Sequence, residues 1–188
     1  MESYSLKNIF KIEMGNIKLA TTKAFLATSV FILAGIISYI YKGKFFTALV
    51  IFYIVLCFNT FFSIQLFDAL VQNKDMNQKI IDVILFFEYI YLAWNLNNSV
   101  VAMILIVALF LTATYKYTHM ITSVPHLQLL RRKISIDNAG SFIAFIVCIG
   151  IILTGNNLLL WYWTFIFTFA NVYLFTIMPM YKIPENIT

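Results

Sequence analysis

Charge is scarce in this sequence. Only 11% of residues are Asp, Glu, Lys or Arg, whereas a soluble domain carries about 25% to cover its surface. With 62% hydrophobic residues and a mean hydropathy of +0.87, a soluble fold of this size is excluded. The two cysteines, Cys57 and Cys148, lie inside apolar runs. They offer no disulfide framework or metal spacing and read as small packing residues. Glycine and proline are few, and no proline falls inside a predicted span, so the broken helices of many transporters are not signalled. No GxSxG, HExxH, P-loop or GxGxxG motif is present. His119 and His126 share a segment without a nearby Cys or carboxylate cluster. These absences predict a protein that is not an enzyme and carries neither cofactor nor metal.

What is present is a series of apolar runs, each about 15–27 residues long, the length that crosses a hydrocarbon core about 30 Å thick. They fall at about Ala24–Tyr41, Phe45–Val71, Ile80–Trp94, Ser99–Tyr117, Ala139–Leu153 and Leu158–Met178. Short polar turns separate most of them, among them Lys42-Gly43-Lys44, Asn95–Asn98 and Thr154–Asn157. The pattern predicts an all-α polytopic membrane protein of about six transmembrane helices. The alternative has four spans plus interfacial helices. Glu88 makes the third run the weakest candidate. Residues 1–23 predict an interfacial helix with Lys7, Lys11 and Lys18 on one side. Residues 24–178 form the transmembrane bundle, interrupted by a cytoplasmic loop at 118–138, and 179–188 are a cytoplasmic tail marked by Pro179 and Pro184. The first long run begins near Ala24 without a cleavage pattern after it, so no cleavable signal peptide is expected.

The formal charge is +5, which on a soluble protein would suggest nucleic acid. Here the basic residues sit at the edges of apolar runs. With the N-terminus inside, eleven of the 13 basic residues fall on the cytoplasmic side and only Lys42 and Lys44 outside. That bias predicts an N-in/C-in topology in the inner (plasma) membrane, with no direct nucleic-acid contact. Tyr39, Tyr41, Trp94, Trp161 and Trp163 are expected at the outer interface, and Tyr115, Tyr117 and Tyr181 at the inner one.

Polar residues inside spans are costly, and each therefore suggests either function or a buried hydrogen bond. Glu88 is the carboxylate deepest in a predicted span. It reads as an ion or proton site, or as a protonated Glu bonded to a neighbouring helix. Thr164, Thr168 and Asn171 share one face of the sixth span, which packs inside the bundle or lines a polar path. Asp68 and Asp82 flank the loop holding Lys74 and Lys79, so local ion pairs are expected there, or a cation vestibule. Gly140, Ala144 and Cys148 form a small-xxx-small stripe for close approach of a helix from the same chain or a second copy. In the segment 118–138, HLQLLRRKI predicts a short surface helix. Its Arg131, Arg132 and Lys133 are candidates to bind anionic lipid headgroups or a cytoplasmic protein partner.

Size, span content and the RRK-bearing segment resemble the small multipass subunits of bacterial anti-phage defence systems, such as the membrane component of Kiwa. That resemblance implies sensing of envelope disturbance and a cytoplasmic partner effector. Membrane-embedded immunity proteins against pore-forming toxins are similar in architecture. The expected function is thus a membrane subunit that homo-oligomerises and docks a cytoplasmic partner. The alternative is an ion channel or small-solute transporter with Glu88 in the path.

Overall fold

The computed structural model describes residues 14–70, 75–121 and 127–176. These form six α-helices: α1 Met14–Lys42, α2 Thr47–Leu70, α3 Met76–Trp94, α4 Ser99–Met120, α5 Leu127–Thr154 and α6 Leu159–Thr176. Lipid offers no partner to backbone N–H and C=O groups, so apolar runs of this length satisfy themselves as helices. Their ends are chemically marked. Gly43 and Gly155 have φ of +74° and +64° and return their N–H groups to Tyr39 O and Ile151 O, at 2.9 and 2.8 Å. Both close a helix through a left-handed residue that glycine adopts without a Cβ clash. Asn98 opens α4 by accepting from Val101 N–H at 3.2 Å, and Asp75 opens α3 by accepting from Gln78 N–H at 2.7 Å.

The principal neighbours close a ring: α1 on α2, α2 on α6, α6 on α5, α5 on α4, α4 on α3 and α3 back on α1. The three short turns lie together at one end, called here the turn end. There Phe46 N–H donates to Leu96 O, and Lys42 Nζ donates to Trp94 O at 2.6 Å. The opposite, charged end carries Arg131, Arg132, His119 and Asp75.

The ring encloses an apolar core toward the turn end. Phe52, Phe110, Trp163 and Phe167 interlock there, with ring centroids 4.6–5.9 Å apart. Trp163, expected at the outer interface, lies in the first turns of α6 near the turn end, with its indole buried against these rings. The small stripe of α5 serves packing within this chain. A Cβ on Gly140 would lie 3.2 Å from the Phe110 ring of α4, and Ala144 and Cys148 are buried in the same core. The outside of the ring is as apolar as the inside. Leu153 and Phe169 are 78% and 74% exposed, in company with Phe25, Ile40, Phe142 and Phe165. A surface of this kind belongs in lipid. Five of the helices, all but α3, are long and apolar enough to cross a membrane. The protein is an all-α, multipass membrane protein.

Two boundaries differ from the sequence reading. The segment 118–138 is divided between helices: α4 extends to Met120, and α5 opens at Leu127 and runs unbroken for 28 residues. Hydropathy stops at the RRK run, but the helix does not. Lys133 and Asp137 pair one turn apart inside the bundle, and the two arginines lie exposed at the helix end. At the other boundary, α1 begins at Met14 and continues past residue 23 into the first span. The remainder of the N-terminal segment, with Lys7 and Lys11, lies outside the described residues. So do Lys74, Pro125, His126 and residues 177–188, including Tyr181 and the tail.

Candidate functional site

Between the aromatic core and the charged end the ring holds a cavity of about 240 Å³. Each helix from α1 to α5 supplies a polar or charged wall: Lys23 from α1; Asn59, Thr60, Ser63 and Asp68 from α2; Asp82 and Tyr89 from α3; Lys116 and Tyr117 from α4; Lys133 and Asp137 from α5. Phe31, Leu109 and Phe110 supply part of the apolar remainder. Three lysines therefore meet three aspartates in a space surrounded by hydrocarbon-facing helices.

Two ion pairs organise these groups. Lys116 Nζ lies 2.7 Å from Asp82 Oδ1 and ties α4 to α3. Lys133 Nζ donates to Asp137 Oδ1 at 2.8 Å, and the two side chains are only 5% and 1% exposed. Both ammonium groups lie within 6 Å of the Tyr117 ring centre, at 5.9 and 5.6 Å, so the ring face adds a further attraction. A charge at bilayer depth costs about 2.5–3.5 kcal/mol even on the lenient insertion scales, so pairing of this kind is required. It is incomplete, however. Asp137 Oδ2 is buried and meets no hydrogen-bond donor among the described residues. Lys23 is exposed along the wall and makes no ion pair among them. On the core side, Tyr89 OH bonds Thr60 Oγ1, and its ring stacks on Phe31 at 4.4 Å.

At the charged rim, Asp75 Oδ2 meets His119 Nε2 at 2.8 Å. The Gln78 N–H first, and then His119, hold the Asp75 carboxyl below its ordinary range. This contact links the start of α3 to the end of α4.

The residues singled out from sequence fall in several places. Glu88 lies half-buried in the α3–α4 interface, where Oε1 accepts from Thr112 at 2.9 Å; Oε2 has no hydrogen-bond partner among the described residues. Thr164 donates to Ala48 O of α2 at 3.0 Å, and Asn171 Nδ2 to Phe167 O of its own helix at 2.8 Å. Thr168 is half-buried on the same helix. None of these four lines the cavity, and α3 and α6 are not neighbours in the ring. Asp68 and Asp82 do line it, with Asp82 engaging Lys116 of α4. The RRK run is split: Arg131 and Arg132 are exposed, whereas Lys133 turns into the cavity. Sequence reasoning missed Lys116, Asp137, Tyr89 and Thr60. One usable signal was the spacing Lys133-Ile-Ser-Ile-Asp137, which puts opposite charges on one helix face.

Among the described residues, no group of three His, Cys, Asp or Glu is placed to hold a metal ion. Cys57 and Cys148 are free and buried. The chain was compared with protein-family models, with curated proteins and with solved structures, and it matches none of them.

Proposed function

We propose that the chain is a non-enzymatic, six-span protein of the inner (plasma) membrane, with both termini cytoplasmic. Its cavity binds a small zwitterionic solute presented from the cytoplasm, as the solute site of a carrier. The observation that carries this reading is Asp137: a carboxylate 1% exposed, with one oxygen on Lys133 and the other facing no donor among the described residues. Buried polar atoms demand partners, and an ammonium group entering the cavity supplies one. Lys23, exposed on the same wall, suits the anionic end of such a solute. The lining charges sum to zero, three lysines against three aspartates. A net-charged solute would leave a charge uncompensated in low dielectric, and a zwitterion would not. The cavity lies just below the roughly 300–1,000 Å³ of drug-sized sites, which favours a metabolite-sized occupant.

The charged end is assigned to the cytoplasm because Lys23, Lys79, Lys116 and the RRK run lie toward it, against Lys42 and Lys44 at the turn end. A crossing α3 is supported by its place in the ring between α1 and α4 and by the partners of Asp82 and Glu88. The reading as an anti-phage subunit docking a cytoplasmic partner keeps Arg131 and Arg132 but loses Lys133 as a surface group. Homo-oligomerisation would need a face other than the α5 stripe, which Phe110 already meets. A channel through Glu88, Thr164, Thr168 and Asn171 has less support, since these residues lie apart.

The test is the melting temperature of the purified protein against size-matched zwitterions, anions, cations and neutral solutes at constant ionic strength. A zwitterion is expected to raise it with the logarithm of its concentration, by the equivalent of about 2.7 kcal/mol at a hundredfold excess over Kd. Lys23→Gln, a change at an exposed position, should lower the affinity without changing the unliganded melting temperature. A panel in which no zwitterion acts, or a Lys23→Gln protein that binds as well as the parent, overturns the proposal.

A further inference from the structure

A second site lies on the outside of the ring, between α5 and α6. Near the turn end these helices approach closely: a Cβ on Gly150 would fall 2.9 Å from Leu159 Cδ1. Toward the charged end they leave a groove of about 1010 Å³. One wall is the exposed aromatic face of α6, with Phe165, Phe169 and Tyr173 at four-residue spacing and Ala170 beside them. The other is the first turns of α5, with Arg131 and Arg132 at the mouth. Neither arginine makes an ion pair among the described residues.

We infer that this groove holds one anionic phospholipid of the leaflet at the charged end, its phosphate on Arg131 and Arg132 and an acyl chain along the α6 face. Depth argues for a lipid. Phe165 to Leu174 spans about 14 Å at 1.5 Å per residue, close to the ~15 Å that one leaflet contributes to the hydrocarbon core. Charge argues for an anionic one. Two guanidinium groups at the mouth match phosphate oxygens in fork geometry, and no carboxylate among the described residues lines the groove to repel them. A cytoplasmic protein would use the arginines but could not reach Phe165 or Phe169. An acyl chain reaches both. This site is independent of the internal cavity and survives if that cavity binds nothing.

The experiment is native mass spectrometry of the full chain in detergent, titrated with phosphatidylglycerol or phosphatidylcholine of identical chains. Phosphatidylglycerol is expected to give a saturable single adduct at lower concentration than phosphatidylcholine. Arg131→Gln with Arg132→Gln should weaken it about thirtyfold, since each cation is worth about fivefold. Ala170→Trp, which sets a bulky side chain in the path of the acyl chain and keeps both arginines, should also weaken the saturable adduct. Equal binding of the two lipids, or unchanged preference in the double arginine variant, overturns the inference. So does loss of binding in the arginine variant with Ala170→Trp unaffected: the arginines would then be a bare charged patch of the kind a protein partner uses. Circular dichroism and a monodisperse elution profile confirm that each variant is folded.

Discussion

Replacing Asp137 with Asn is expected to destabilise the protein by about 3–5 kcal/mol, read as a lowered unfolding midpoint in detergent. The loss comes from the buried pair. The Lys133 ammonium is 2.8 Å from Asp137 Oδ1, and the two side chains are 5% and 1% exposed, so the Asn variant removes one charge of an ion pair held in low dielectric. The Tyr117 ring, 5.6 Å away, offsets only a part, since cation–π contacts contribute about 0.5–2 kcal/mol. The informative companion is the double replacement Lys133→Met with Asp137→Leu. It removes both charges together and is expected to recover most of the stability or exceed the parent. Solute binding should remain absent in it. This separates two roles of one pair: holding α5 in the ring, which apolar residues also do, and offering Asp137 Oδ2 to a ligand, which they do not.

The second large effect is expected at Trp163. Its indole is 1% exposed and touches Phe52, Phe110 and Phe167 at centroid distances of 5.8–5.9 Å. Trp163→Ala should cost about 3–5 kcal/mol, because the three surrounding rings belong to three helices and cannot all collapse into the vacated space. Lipid tails solvate a leucine as well as a core does, so within a membrane this loss is one of packing rather than of hydrophobic transfer. Trp163→Phe is expected to be far milder. The indole Nε1–H has no hydrogen-bond partner among the described residues, so removing it relieves an unsatisfied donor while keeping an aromatic ring in place. If Ala and Phe at this position proved equally costly, the aromatic closure above the cavity would be refuted.

The helices were legible because lipid imposes a simple rule on composition. Apolar runs of the right length became α1, α2, α4 and α6, and Gly43, Gly155 and Asn98 ended or began helices where the turns were read. The rule fails where charges pair with one another. Hydropathy counts Arg131 to Asp137 as polar and breaks the chain there, yet Lys133 and Asp137 neutralise each other one turn apart and the helix continues. The same blindness shaped the site. Glu88 stood out as the deepest carboxylate in a span, but depth along a helix does not say which neighbour faces it. Glu88 meets Thr112 of α4, while Tyr89, one residue on, turns into the cavity. Asp82 illustrates the other half of the problem. Its place near the end of a span was readable, but its pairing with Lys116, 34 positions away, depends on how α3 and α4 pack. Periodicity sorts residues onto faces, and only tertiary contact decides which faces meet.

Central to the account is a polar chamber inside the bundle, walled by the aromatic cluster toward the turn end and proposed to open to the cytoplasm at the charged end. Ser63, 6% exposed on the chamber wall, is the place to test it, as Ser63→Cys in a chain whose Cys57 and Cys148 are replaced by Ala. A charged, membrane-impermeant thiosulfonate would be applied to sealed vesicles of each orientation. The account predicts reaction only when the cytoplasmic face is exposed. Reaction from the opposite face, or none from either face while the unfolded protein labels fully, would contradict it.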